Sequence, residues 1–181
     1  MKLFLTFDIF SYKSTNHIFH NFNQVYELYL KRGRCVNKFK HSEAISVIEK
    51  ELNRHGIKCS NIDSRNLGYD IAADLPNGRA LKIIVRVISS LGGYTFVRQN
   101  KFDVSDSNLV LAVLYLQNIQ VNEIYFFPAS AWSGGNYPFV YYPYDNPELI
   151  SLPEYGITFS QKTIDLISRF RSPACIPIMF S

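Results

Sequence analysis

Residues 68–87 (GYDIAADLPNGRALKIIVRV) constrain this chain more than any other stretch, because they fit an antiparallel hairpin and little else. Leu75-Pro76-Asn77-Gly78 has the chemistry of a type I turn followed by a glycine able to take positive φ, so Pro76, Asn77 and Gly78 form a three-residue loop. Counting outward from that loop sets Leu75 opposite Arg79 and Asp70 opposite Ile84. Side chains alternate along a strand. One face therefore gathers Ile71, Ala73, Leu75, Leu81, Ile83, Val85 and Val87, all apolar, and belongs in a core. The other gathers Asp70, Ala72, Asp74, Lys82, Ile84 and Arg86 and is a candidate site, where Asp70 would pair diagonally with Arg86 and Asp74 with Lys82 as on any polar sheet face.

The flanking segments add elements of both kinds. Leu3 to Ile9 alternates as a short strand, and apolar residues recur at helical spacing from Asn16 to Arg32, with Gly33 as the stop. His17 and His20 lie one turn apart, but no acid or thiol accompanies them, and surface histidines are the simpler reading. A second helix is expected over 42–55, with Ser42 as N-cap, Ala44, Ile45, Ile48 and Leu52 inward, and His55-Gly56 at its end. Glu43 falls in its first turn, where the helix dipole alone favours a carboxylate. A short strand is expected from Ile57 to Ile62. Beyond the hairpin, Ser89 to Gly93 is a joint, and the following segment carries Arg98 and Lys101. The long apolar runs Leu109–Leu116 and Ile124–Phe127 suit a sheet covered on both faces. Ala131 to Ser160, rich in Pro, Gly and Tyr, reads as irregular, its aromatics packing down over the sheet. Ser160 opens a last helix with Thr163 or Ile164, Ile167 and Phe170 on one side.

Several classes fall away. No run approaches the roughly 18 uncharged apolar residues that a membrane span needs. The apolar opening segment contains Asp8 and no small-residue cleavage pattern follows it, so a cytoplasmic chain is expected. Cys35, Cys59 and Cys175 are widely spaced, which argues for free buried thiols rather than disulfides or a zinc site. GxSxG, Walker A, GxGxxG and HExxH motifs are all missing. Residues 1–40 hold seven Lys/Arg against two acids, a balance that permits a polyanion partner, with Arg32 and Arg34 among the candidate contacts.

The hairpin resembles the metal-binding hairpin of the PD-(D/E)XK nuclease superfamily, in which an Asp begins one strand and an acid and a Lys stand two apart on the next. Asp70 matches the Asp, whereas Ile84 stands in the place of the acid and Arg86 in that of the Lys. The helix near 42–55 resembles the first core helix, whose Glu often faces the site, and the runs near 109–116 and 123–130 resemble the strand pair that closes the sheet. The resemblance covers about residues 41–132 and implies an α/β fold, a restriction-endonuclease-like mixed β-sheet flanked by helices, in a domain spanning 41–181. Residues 1–40 would be a basic extension of a strand and a helix, serving dimerisation or nucleic-acid contact.

For chemistry, the resemblance implies Mg²⁺ between hairpin carboxylates, activating water for phosphodiester hydrolysis. With Ile84 in place of one acid, only Asp70 and Glu43 remain as metal ligands, and Arg86 keeps the charge of the Lys without being able to act as a base. The expected function is a catalytically impaired nuclease-fold protein that binds nucleic acid or a protein partner, in the restriction or mobile-element setting that the resemblance implies. One alternative is an active Mg²⁺-dependent DNA endonuclease using Asp70, Glu43 and Lys82 or Arg86. Another is an oligomeric interaction module, a homodimer for instance, without nucleic acid. Arg98 and Lys101 would face a substrate groove under the first two readings.

Overall fold

The computed structural model describes residues 39–62, 67–118, 120–144 and 151–176, all within one compact unit that begins at Phe39. The strand, helix and histidine pair expected before residue 39, together with Arg32, Arg34 and Cys35, lie outside the described residues.

Helix α1 (His41–Arg54) starts one residue earlier than the sequence suggests, with Lys40 rather than Ser42 at the N-cap position. The reason lies in Glu43, whose Oε2 accepts the Lys40 backbone N–H at 3.0 Å and closes the first turn. Ala44, Ile45, Val47, Ile48 and Leu52 form its buried stripe, and Gly56 ends it at φ +75°. Strands β1 (Lys58–Asn61), β2 (Ile71–Asp74) and β3 (Ala80–Ile88) form an antiparallel meander on which α1 packs. The hairpin register is the one that the loop dictates. Ile71 faces Ile83, Ala73 faces Leu81, and the Leu75 N–H donates to the Arg79 carbonyl at 2.8 Å, with Gly78 at φ +82°.

Strand β4 (Tyr94–Arg98) leaves this sheet. The chain returns through β5 (Leu109–Gln117), parallel to β3, and then β6 (Gln120–Pro128), antiparallel to β5. The main sheet thus runs β1-β2-β3-β5-β6 and is mixed. Every residue of β5 from Leu109 to Leu116 is buried, as expected of a strand covered on both sides.

One covering layer corrects the sequence reading. Residues 131–160 are not irregular throughout, since β7 (Phe139–Tyr142) and β8 (Glu154–Thr158) join β4 in a second, three-stranded sheet of order β4-β8-β7. Val97, Phe139 and Ile157 from that sheet share one core with Ile84 and Ile88 of β3, Leu111 and Tyr115 of β5, and Tyr125 and Phe127 of β6. Helix α2 (Gln161–Ile167), capped by Ser160 as expected, adds Thr163 and Ile167 to the buried set. The hairpin face expected to be polar throughout is therefore interrupted, charged at Lys82 and again at Asp70 and Arg86 but apolar at Ile84. At Ile84 and Ile88 it has become a second core.

The thiols fit the expectation of free cysteines. Cys175 is buried and Cys59 half-buried, and burial pushes each thiol up to about 11. Among the described residues, no helix is long and apolar enough to cross a membrane.

Candidate functional site

Asp70 stands where the β2 ladder gives out. Its backbone carbonyl accepts the Ile62 N–H at 2.9 Å, and its own N–H donates to the Ile83 carbonyl at 2.8 Å. A ladder continued by one more pair would point the Val85 N–H at a backbone carbonyl. Instead that N–H donates to Asp70 Oδ2 at 2.7 Å. The carboxylate is thus a structural acceptor, 3% exposed. Its other oxygen, Oδ1, lies 3.0 Å from His41 Nε2. An ionised carboxylate only accepts, so Nε2 carries the proton in this contact. Arg86 Nη1 completes the surroundings at 4.0 Å from Oδ2. The diagonal Asp70–Arg86 pair expected from the hairpin is present.

Arg86 is held from two sides. Its Nη1 donates to the Val85 carbonyl at 2.7 Å, and its Nε reaches the Phe96 carbonyl of β4 at 3.4 Å, so the guanidinium ties the main sheet to the second one. Burial lowers its pKa and Asp70 pulls in the opposite direction. An arginine stays charged through such shifts. Beyond it opens a cavity of about 340 Å³, bounded by Arg86, Arg98 and Lys101 and by the strand residues from Tyr94 to Val97. Arg98 and Lys101 are exposed and make no ion pair among the described residues. Arg86, Arg98 and Lys101 thus line one hollow.

The remaining candidates go elsewhere. Lys82 does not pair with Asp74. Its Nζ lies 2.9 Å from Asp106 Oδ2, in the loop before β5, and the contact raises the pKa of the lysine and lowers that of the acid. The parallel β3–β5 pairing sets Lys82 beside Leu109, which brings that loop within reach in a way no local pattern announces. The Glu43 carboxylate folds back on the Lys40 N–H. Ile84 faces away from solvent, 2% exposed, packed within the apolar cluster between the sheets.

Helix, acid-bearing hairpin and closing strand pair thus lie on one mixed sheet in the order that the sequence resemblance implied. No family model matches the chain, and no curated protein matches it either. Among solved structures, it is similar to the bacterial homing endonuclease I-Ssp6803I, with 17% identity and a TM-score of 0.40 over 55% of this chain and 74% of that one. It is also similar to Hjc, a Holliday junction resolvase of Archaeoglobus fulgidus, with 13% identity and a TM-score of 0.40 over 69% of this chain and 87% of the other.

The resemblance read from the sequence raises the question of Mg²⁺, and the donor set does not suit it. Mg²⁺ needs oxygen ligands in near-octahedral array. Here Ile84 occupies the second ligand position within a core, Asp70 already accepts from Val85 and lies against His41 and Arg86, and Glu43 is turned onto a backbone amide. Among the described residues, no three His, Cys, Asp or Glu side chains gather closely enough to hold an ion. In electrostatic terms, the Arg86 guanidinium takes the place of the divalent ion as the counter-charge of Asp70.

Signals for this outcome were partly in the chain. Ile84 and Arg86 were visible departures from the resemblance. His41 was missed, because a histidine at the start of a helix, 29 residues before its partner, carries no local mark.

Proposed function

We propose that this chain is a nuclease-fold protein that holds a nucleic-acid backbone without cutting it. One observation carries the reading. The acid that the resemblance places at the site, Asp70, is engaged from within the chain, accepting from the Val85 amide and lying against His41 and Arg86. What the site offers a ligand is then positive charge. Arg86 spends Nε and Nη1 on the protein, while its Nη2 faces no partner among the described residues. Arg98 and Lys101 share its hollow. A guanidinium fork with a free edge, beside two further cations, is suited to phosphate oxygens.

Fluorescence anisotropy against salt tests this. The Arg98→Ala/Lys101→Ala variant removes two phosphate contacts, so the log–log salt slope should become shallower by about 1.4 on a single strand and about 1.8 on a duplex. Neither Mg²⁺ nor Mn²⁺ should produce strand cleavage. An unchanged slope in the variant overturns the reading. So does metal-dependent cleavage by the wild type that disappears in Asp70→Asn, which would reinstate the active endonuclease.

A further inference from the structure

The outward side of the second sheet is an unusual surface. Cross-strand pairing sets Tyr94, Phe96 and Arg98 of β4 on the same face as Glu154 and Gly156 of β8 and Tyr142 of β7. Thr95, Val97, Ile157 and Phe139 take the opposite, core-facing side. Large aromatics on the wet side of a small sheet are costly to leave in water. Yet Phe96 is 43% exposed and Tyr142 44% exposed, with Tyr94 close behind.

These rings are arranged rather than scattered. Tyr94 and Phe96 lie nearly parallel, 21° apart, with centroids separated by 6.0 Å, and Tyr142 meets Tyr94 edge-on at 6.2 Å. Gly156 makes this possible. A methyl group there would overlap the Tyr94 ring, so the missing side chain is what lets the ring lie flat across the β8 backbone. The Tyr94 hydroxyl is anchored by donating to Glu154 Oε1 at 2.9 Å, and Tyr144 donates to the same oxygen at 3.0 Å. Glu154 is buried and satisfied by these bonds, so its charge is withdrawn from the surface. Among the described residues, the exposed Arg98 and Lys101 share a hollow with Tyr94 and Phe96.

Flat aromatic faces beside unpaired cations form the combination that holds single strands, because every base has a π-face and every nucleotide a phosphate. A duplex keeps its base faces inside the stack and offers such rings nothing. We propose that this platform binds single-stranded nucleic acid, with bases stacked on Phe96, Tyr94 and Tyr142 and the backbone following Arg98 and Lys101 toward Arg86. The proposal rests on the phosphate-binding reading above and adds the strandedness of the ligand. Stacking and phosphate contact do not read the 2′-hydroxyl, so the strandedness of the ligand, and not its sugar, is what the platform selects.

The test compares an oligo(dT) of about 15 nucleotides, the matching oligo(rU) and a duplex of equal length, a size chosen to cover a typical single-strand site. Phe96→Leu and Tyr142→Leu keep apolar bulk and remove the stackable face. Each should weaken oligo(dT) binding by roughly 5- to 100-fold while leaving the salt slope unchanged. The Phe96→Trp variant should retain binding, and its new indole should be quenched by oligo(dT). The native Trp132 is buried and hydrogen-bonded to the Gly156 carbonyl, so it should contribute little to that change. Thermal melts of each variant show whether the fold is intact. Equal or tighter binding of the duplex than of both single strands, or indifference of oligo(dT) and oligo(rU) binding to both leucine variants, overturns this proposal. If the slope still responds to Arg98→Ala/Lys101→Ala in that case, the phosphate-binding reading survives alone. Failure of all three ligands to bind at low salt overturns both.

Discussion

Replacing Asp70 by alanine gives a prediction whose sign, and not only its size, separates two kinds of nuclease-like site. In a working metal site the carboxylates are held near one another for the ion, and removing one relieves strain, so a gain in stability at the expense of function is the usual result. Here Asp70 is embedded in favourable contacts. Asp70→Ala leaves the Val85 N–H without its 2.7 Å partner in a buried setting. An orphaned buried donor costs about 1–3 kcal/mol. Arg86 loses its counter-charge at 4.0 Å, but its side chain is 35% exposed. Water then screens that loss to about 1 kcal/mol or less. His41 is exposed and rehydrates readily. The total is roughly 1–4 kcal/mol, which for a chain of this length corresponds to a fall in Tm of roughly 2–16 °C. Asp70→Asn should recover a good part of this, because its amide oxygen can still accept from Val85. Scanning fluorimetry and urea titrations on the wild type and both variants measure the difference, and an unchanged m-value shows that the comparison is like for like. A Tm for Asp70→Ala at or above that of the wild type would refute the assignment of Asp70 as a structural acceptor paired with Arg86.

Two further outcomes follow from the same geometry. Ile84→Glu places a carboxylate in the apolar cluster between the sheets and should destabilise by more than Ile84→Ala, itself about 2–5 kcal/mol; a well-folded Ile84→Glu/Arg86→Lys variant whose Tm rises in Mn²⁺ would show instead that this core opens readily into a metal site. For the Lys82–Asp106 pair, the depressed acid contributes stability that is present above its unfolded pKa of about 3.9 and lost as pH falls through the folded value, while the raised lysine contributes stability present below about 10.4 and lost as pH rises through its folded value; Lys82→Met should therefore lower stability at neutral pH by no more than about 1 kcal/mol and flatten both ends of the stability–pH curve, and an unaltered curve would count against the pair.

Short-range rules account for what could be read in advance. The Pro76-Asn77-Gly78 loop closes over a few residues, so its chemistry alone determines that Ile71 faces Ile83. Helical spacing and the Gly56 stop delimit α1 to within a residue, and the unbroken apolar run Leu109–Leu116 reveals burial on both faces because no position in it tolerates water.

What only the tertiary structure decided depends on partners far away in sequence. Whether the even-numbered hairpin face would be wet or dry at Ile84 turned on β7 and β8, from a segment whose prolines and glycines hide its strands. The pairing of β8 with β4, Tyr94 against Thr158, has no local signature because register across such a distance is set by which faces bury well together. The same holds for the redirection of Lys82 to Asp106, for His41 closing on Asp70, and for the aromatic face of the second sheet, where Tyr142 joins Tyr94 and Phe96 only once β7 and β8 are paired with β4. Turn and helix chemistry acts over a few residues, so it is written in the sequence locally. The docking of one layer on another is a property of complementary surfaces, and these exist only when the chain has folded.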